Sequence, residues 1–181
     1  MNIIIGLGNF GCSVVNSMNG KPLPNARLIV CDTDIDRLNQ MDVELKIPLA
    51  SPSPFPDETA KLLAGFERVA IVAGLGGRCG SQAAMGLAML LKGLDKPPIA
   101  FVTTPMSFDG PKRMHLAKNI ITCLDVACFS TYILDLDKRL RSAGNVSLSK
   151  FTENIYELFY ELITETLGKK PEDRPQGRID L

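Results

Sequence analysis

The chain has 181 residues, 45% of them hydrophobic and 22% charged, with Lys plus Arg and Asp plus Glu at 20 each. At about 150 residues per domain, this is the length and composition of one ordinary globular domain. A net charge of zero argues against a grip on nucleic acid or an anionic membrane, since both draw on surplus cations.

The longest apolar runs, such as Ile3-Ile4-Ile5 and Leu87 to Leu91, fall far short of the roughly 20 residues that span a bilayer. No basic segment leads into a hydrophobic stretch at Met1-Asn2-Ile3, so no signal peptide is expected. Cys12, Cys31, Cys79, Cys123 and Cys128 are odd in number and show no C-x-x-C spacing. They read as free thiols of a cytoplasmic protein. His115 is the sole histidine and has no acid or nucleophile near it in sequence. Neither a metal site nor a catalytic residue is assigned.

Short β-branched runs alternate with helical stretches, the pattern of a parallel α/β sheet. The first strand, Asn2–Ile5, runs into Gly6-Leu7-Gly8-Asn9-Phe10-Gly11, a G-x-G-x-x-G at the start of a helix near 11–18. Such a turn lets backbone amides approach a phosphate at a helix N-terminus, and it also simply reverses a chain. A second strand, Arg27–Cys31, ends at Asp32-Thr33-Asp34 before a helix near 34–40. Asp32 lies about 20 residues beyond the last glycine, where NAD-binding domains keep a ribose acid.

A short strand at Leu45–Ile47 and a Pro-rich loop, Ser51 to Pro56, precede a helix near 57–66 that Asp57 can cap. The fourth strand, Val69–Ala73, opens into Gly74-Leu75-Gly76-Gly77-Arg78-Cys79-Gly80-Ser81 and a helix near 81–92. In a doubly wound sheet of order 3-2-1-4-5-6, strands one and four are neighbours at the switch point, so both glycine loops border one crevice. That arrangement suits a polyphosphate held from two sides.

The fifth strand, Ile99–Thr103, leads through Pro105 to Asp109, placed to accept from ribose hydroxyls, and to Arg113, one turn along a helix near 111–124 and able to reach phosphate. A sixth strand, Tyr132–Asp135, follows. From about Ser149 to Leu167, Phe151, Ile155, Leu158, Phe159, Leu162 and Ile163 recur at helical spacing opposite a row of glutamates. Residues 1–148 thus read as a Rossmann-like doubly wound domain, 149–168 as a long helix, and 169–181 as a polar tail.

Four motifs in this order resemble the nucleotide-binding domain of the FtsZ/tubulin family. Gly76-Gly77-Arg78-Cys79-Gly80-Ser81-Gln82 is similar to its G-G-G-T-G-T/S-G signature loop, and Gly6 to Gly11 to its N-terminal glycine loop. Asp32-Thr33-Asp34 is similar to its N-T-D, and Val102 to Arg113 to its V-T-x-P-F-x-F-E-G-x-x-R. The resemblance covers residues 1 to about 165. It implies GTP or GDP, with Mg2+ through the phosphates.

In that resemblance Gly8, Asn9, Phe10, Gly11, Cys12 and Ser13 surround the phosphates with Gly74, Gly76, Gly77, Arg78, Cys79 and Gly80. Asp109 matches the family's ribose-binding Glu and Arg113 its Arg, and Asp34 and Pro105 are also expected at the nucleotide. The long helix resembles the family's central helix, which holds guanine by stacking and an Asn or Asp. Phe151 or Tyr156 is placed to stack, with Asn154 and Glu157 the nearest polar candidates. Plain core packing is the competing role for Phe151.

The departures are specific. Asn9 and Phe10 stand where the first loop has glycines; Arg78, Cys79 and Gln82 replace Gly, Thr and Gly in the second. Such side chains crowd a close phosphate contact, although Arg78 can also strengthen it. Gly177 to Leu181 resembles the beginning of the family's acidic catalytic loop, with Asp180 where the family has Asn.

The expectation is therefore a cytoskeletal or cell-division guanine-nucleotide domain, impaired in hydrolysis and in polymerisation on its own. Two alternatives stay open: a nucleotide-free relative that binds a filament partner, and an NAD-binding half-domain. Self-association or a filament contact is implied by the family alone.

Overall fold

A computed structural model describes residues 1–181, the side chain of Pro171 excepted. Seven parallel strands form one sheet: β1 (Asn2–Leu7), β2 (Ala26–Asp32), β3 (Leu45–Pro48), β4 (Arg68–Gly74), β5 (Ile99–Thr103), β6 (Ser130–Leu134) and β7 (Gly177–Asp180). Their spatial order is 3-2-1-4-5-6-7. The doubly wound topology is as expected, with one strand added at the edge.

Seven helices cover both faces: α1 (Gly8–Asn16), α2 (Ile35–Asn39), α3 (Asp57–Ala64), α4 (Arg78–Gly93), α5 (Pro111–Ala127), α6 (Leu136–Ala143) and α7 (Leu148–Gly168). Ile3, Ile5, Ile71 and Val102 point into the layer beneath α3, α4 and α5. Ile4, Val72 and Phe101 point into the opposite layer, under α1 and α7. Alternate residues of each central strand thus enter different cores, which is why β1 and β5 are buried throughout and apolar but for Asn2 and Thr103 at their ends.

The stripe anticipated on α7 is its buried face: Phe151, Ile155, Phe159, Ile163 and Leu167 all lie in the second core. Phe151, Ile155, Phe159 and Ile163 recur every four residues, which keeps them on one side of the helix. Ser147 caps α7 by accepting from the Lys150 amide at 3.2 Å. Asp57, expected as a cap, is instead the first residue of α3. Its charge there still suits the positive end of the helix dipole.

Two elements went unread in the sequence. Helix α6 buries no residue fully and is strongly polar. Strand β7 arises within the segment taken for a tail, and pairs with β6 from Ser130–Gly177 to Ile133–Asp180. Its four residues alternate, with Gly177 and Ile179 half-buried and Arg178 and Asp180 exposed. Four residues of mixed polarity carry too little pattern to be recognised without their neighbour.

Candidate functional site

The first glycine loop and the loop after β4 touch at the switch point. Strand β1 lies between β2 and β4, so the C-terminal ends of β1 and β4 are adjacent. Gly8 has a φ of +69°, and a Cβ there would lie 2.6 Å from the backbone nitrogen of Gly80. A Cβ on Gly11 would lie 2.1 Å from the carbonyl oxygen of Val72. These glycines therefore bring α1, β4 and the start of α4 into backbone contact that no side chain permits.

The third motif closes the ring. Gly76 has a φ of +93°, and its Cβ position lies 3.0 Å from the ring of Pro105 and 3.2 Å from Cβ of Arg113. Asp109 accepts from the Met106 amide at 2.9 Å, and its second oxygen faces an Arg113 nitrogen at 3.4 Å. Both side chains remain partly exposed at the rim. Gly8, Gly11, Gly74, Gly76, Gly80, Pro105, Asp109 and Arg113 are thus brought together across three strand ends. Gly77 has nothing within 4 Å of its Cβ position.

Three helices begin here, and none is capped by a side chain. Helix α1 starts after Leu7, α4 after Gly77 and α5 after Gly110, each without a capping hydrogen bond and without an acid in its first turn. By contrast, Asp34, Asp135 and Ser147 cap α2, α6 and α7. The free amides and the positive dipole ends of α1 and α4 therefore converge on one crevice, which suits an anion. Arg78 adds a cation at the first residue of α4; it is exposed and joins no ion pair among the described residues.

Other candidates are placed elsewhere or are engaged. Cys12 is buried, with its sulfur 3.3 Å from the carbonyl oxygen of Cys31, and burial pushes its thiol up to about 12. Ser13 donates to the Asn9 carbonyl at 2.9 Å, inside its own helix. Asn9 itself is exposed. Asp34 accepts from the Arg37 amide at 3.0 Å as the cap of α2. Cys79 is half-buried, its thiol also raised by burial, and it borders a 340 Å³ cavity with Thr33, Ser51 and Arg78.

Asp32 is 3% exposed, and one of its oxygens accepts from the Thr33 and Asp34 amides at 2.7 and 3.3 Å. Its other oxygen is buried without a hydrogen-bond partner. The carboxylate on which a dinucleotide reading depends is folded into its own turn.

On α7 the two stacking candidates separate. Phe151 is 4% exposed and packs in the core, bordering a cavity between α6 and α7. Tyr156 meets Phe10 of the first loop edge-on, with ring centres 6.1 Å apart, and Phe10 meets Phe159 in the same way at 5.8 Å.

Two residues that shape the site were not singled out. Ser81 is buried and accepts from the Gly76 amide at 2.9 Å, fixing the second loop. Asp137 accepts from the Ser107 amide at 2.8 Å and so holds the turn after β5. Ser81 could have been found as the hydroxyl closing the glycine loop; Asp137 belongs to α6, which was itself unread.

No group of three or more His, Cys, Asp or Glu side chains among the described residues is arranged to hold a metal ion. Among the described residues no helix is long and apolar enough to cross a membrane.

Comparison with known proteins places this geometry. No family model matches the chain. The chain is 27% identical to cell division protein FtsZ 1 of Thermococcus kodakarensis over 187 residues, covering 92% of this chain and 50% of that protein. It is 29% identical to FtsZ of Azotobacter vinelandii over 159 residues, covering 78% of this chain and 40% of that protein. The chain thus spans half or less of the length of these curated relatives.

Among solved structures, an FtsZ dimer from M. jannaschii superposes with a TM-score of 0.74 at 20% identity, over 91% of this chain and 55% of that one. A GTPγS-bound protofilament of CetZ2 from Haloferax volcanii gives 0.72 at 22%, over 92% and 58%. In sequence the chain is thus similar to FtsZ at 27–29% identity, and in fold it matches the FtsZ and CetZ2 structures over about nine-tenths of its length.

Proposed function

We propose that this FtsZ/tubulin-type domain binds GTP or GDP in the crevice between its two glycine loops, as part of a cytoskeletal or cell-division protein. The observation that carries the reading is the backbone contact of Gly8 with Gly80, which sets the uncapped ends of α1 and α4 side by side. Amides of Gly8 to Gly11 and of Arg78 to Gly80 would hold the phosphates, with Arg78 as their counter-charge. Asp109 and Arg113 would face the ribose and the phosphate chain.

Any Mg2+ would be held mainly by phosphate oxygens. The chemistry it supplies is neutralisation of the phosphate charge. Cys79 stands where the signature has Thr, and a protonated thiol is a weak donor and a poor partner for a metal-bound water. Slow turnover is part of the proposal on that ground. Self-association is proposed from the relatives, since the FtsZ comparison structure is described as a dimer and the CetZ2 one as a protofilament.

Isothermal titration with GTP and GDP tests the reading directly. Saturable binding below millimolar concentration supports it; no binding in that range overturns it. One observation favours a second reading, a nucleotide-free relative acting through a filament partner: Phe10 fills space between the first loop and α7. Chromatography of nucleotide released from denatured, freshly purified protein separates the two.

A further inference from the structure

We propose a second ligand site at the opposite end of the sheet from the glycine loops, a pocket that takes a small aromatic carboxylate. It is built where four neighbouring strands begin. Phe66 and Glu67 lead into β4, Asp95 to Pro97 into β5 and Phe129 into β6, while Arg174 lies between α7 and β7. Together they line a cavity of 220 Å³. The crevice between the glycine loops lies at the other ends of these strands. Strand β4, with its seven residues, sets about 20 Å between the two.

The pocket combines an apolar body with one surplus positive charge. The rings of Phe66 and Phe129 line it, both half-buried, together with Ile99 at 3% exposed. Its charged lining is Arg68, Lys96 and Arg174 against Glu67 and Asp95. Glu67 pairs with Arg68 at 2.9 Å. Arg174 and Lys96 meet no carboxylate within ion-pair distance among the described residues. Burial and then the Arg68 charge hold the Arg174 guanidinium below its ordinary value, and Glu67 and Glu172 offset only part of this.

Both guanidiniums are fixed by the end of α7. Arg68 donates to the Leu167 carbonyl at 2.7 Å, and Arg174 donates to that of Lys169 through Nε and Nη2. Cations already ordered lose little freedom when an anion arrives. Anchoring α7 accounts for these hydrogen bonds. It does not account for a surplus charge beside two phenyl rings in one cavity. A single surplus cation matches a monocarboxylate, and the rings suit an aromatic body packed edge-on. The volume falls below the roughly 300–1,000 Å³ of drug-sized sites, so a single-ring acid fits better than a nucleotide or a folded peptide segment.

Titration of the full chain with hydrocinnamate, followed by ligand-observed NMR and repeated with the uncharged hydrocinnamamide, tests this. The expected result is saturable binding of the acid with a Kd of about 0.1–1 mM, the range for about eleven heavy atoms. The amide should bind at least tenfold more weakly. Excess GTP should leave the affinity for the acid unchanged. Arg174→Gln should weaken the acid tenfold or more, with circular dichroism reporting the fold. Lys96→Glu alters an exposed side chain with no ion pair, and should weaken the acid about threefold or more even if Arg174→Gln unfolds. No binding up to about 10 mM, or equal binding of acid and amide, would overturn the proposal. Displacement by GTP would place the acid in the crevice and do the same, as would unchanged affinity in Lys96→Glu and a folded Arg174→Gln. A peptide acetyl-Gly-Gly-Phe with a free carboxylate binding tenfold tighter than hydrocinnamate would assign the pocket to a polypeptide terminus instead. Failure of GTP to bind leaves each of the other outcomes intact.

Discussion

Gly8 and Gly80 meet across the switch point so closely that a single Cβ on Gly8 would lie 2.6 Å from the Gly80 amide nitrogen. The φ of +69° at Gly8 adds a second obstacle to any other residue. Gly8→Ala is therefore expected to cost about 2–4 kcal/mol, from the left-handed backbone and the forced separation of the loops together. In a domain of this size that lowers Tm by roughly 5–15 °C. Gly77→Ala, with open space at its Cβ position, should melt with the wild type within a degree or two. Thermal unfolding by circular dichroism checks the contrast, and equal losses in both variants would dismiss it.

Arg78 stands free at the first residue of α4, so the charge it adds to the crevice is not spent on a carboxylate. A charge-assisted bond to phosphate contributes about 1.5–3 kcal/mol. Arg78→Ala should accordingly weaken GTP binding by roughly ten- to a hundredfold and flatten its salt dependence, with Tm unchanged. Titrations at two ionic strengths would show this. Tighter binding in the variant would mean that Arg78 obstructs the phosphates.

How much of this was legible follows from where pattern is local. The Gly6 to Gly11 and Gly74 to Gly80 loops, the strands before them and the stripe on α7 each declare themselves within one stretch of chain. Their convergence at Gly8 and Gly80 followed from strand order alone. The dispositions of Phe10 and Tyr156 did not, because an aromatic at helical spacing looks the same whether its face is free or covered.

Asp32 shows the same limit. Its distance from the glycine loop suits a ribose acid, yet its own Thr33 and Asp34 amides claim it. Strand β7 was missed because Gly177–Asp180 becomes a strand only beside β6.

The thiols divide by surroundings. Burial holds Cys12 and Cys128 protonated up to about 12, and Cys31 is raised well above its ordinary value for the same reason. Thiolate is the reactive form, so all three should resist alkylation of the native protein at mildly alkaline pH. Cys79, half-buried beside Arg78, should label slowly, and more slowly still with bound nucleotide. Mass spectrometry after timed iodoacetamide treatment reads each site. Rapid labelling of Cys12 would show that α1 lifts from the sheet.

Asp125 at the end of α5 ties the last strand to the domain at a cost that depends on pH. It lies 4.0 Å from Arg178, which also binds Asp180 at 2.9 Å, and one of its oxygens is buried without a partner. Burial raises its carboxyl above the ordinary 3.8, Asp180 raises it further, and Arg178 and Thr131 offset only part. A carboxyl raised in the fold favours the folded state while protonated. That contribution is complete below about 3.8 and is lost as pH rises through the raised value. Asp125→Asn keeps the shape without the charge, so at neutral pH it should melt at or above the wild type. In acid, near pH 3, the two should converge. If the variant is less stable at neutral pH and equal in acid, the attraction of Arg178 outweighs the burial of the charge, and the ion pair is a net anchor for β7.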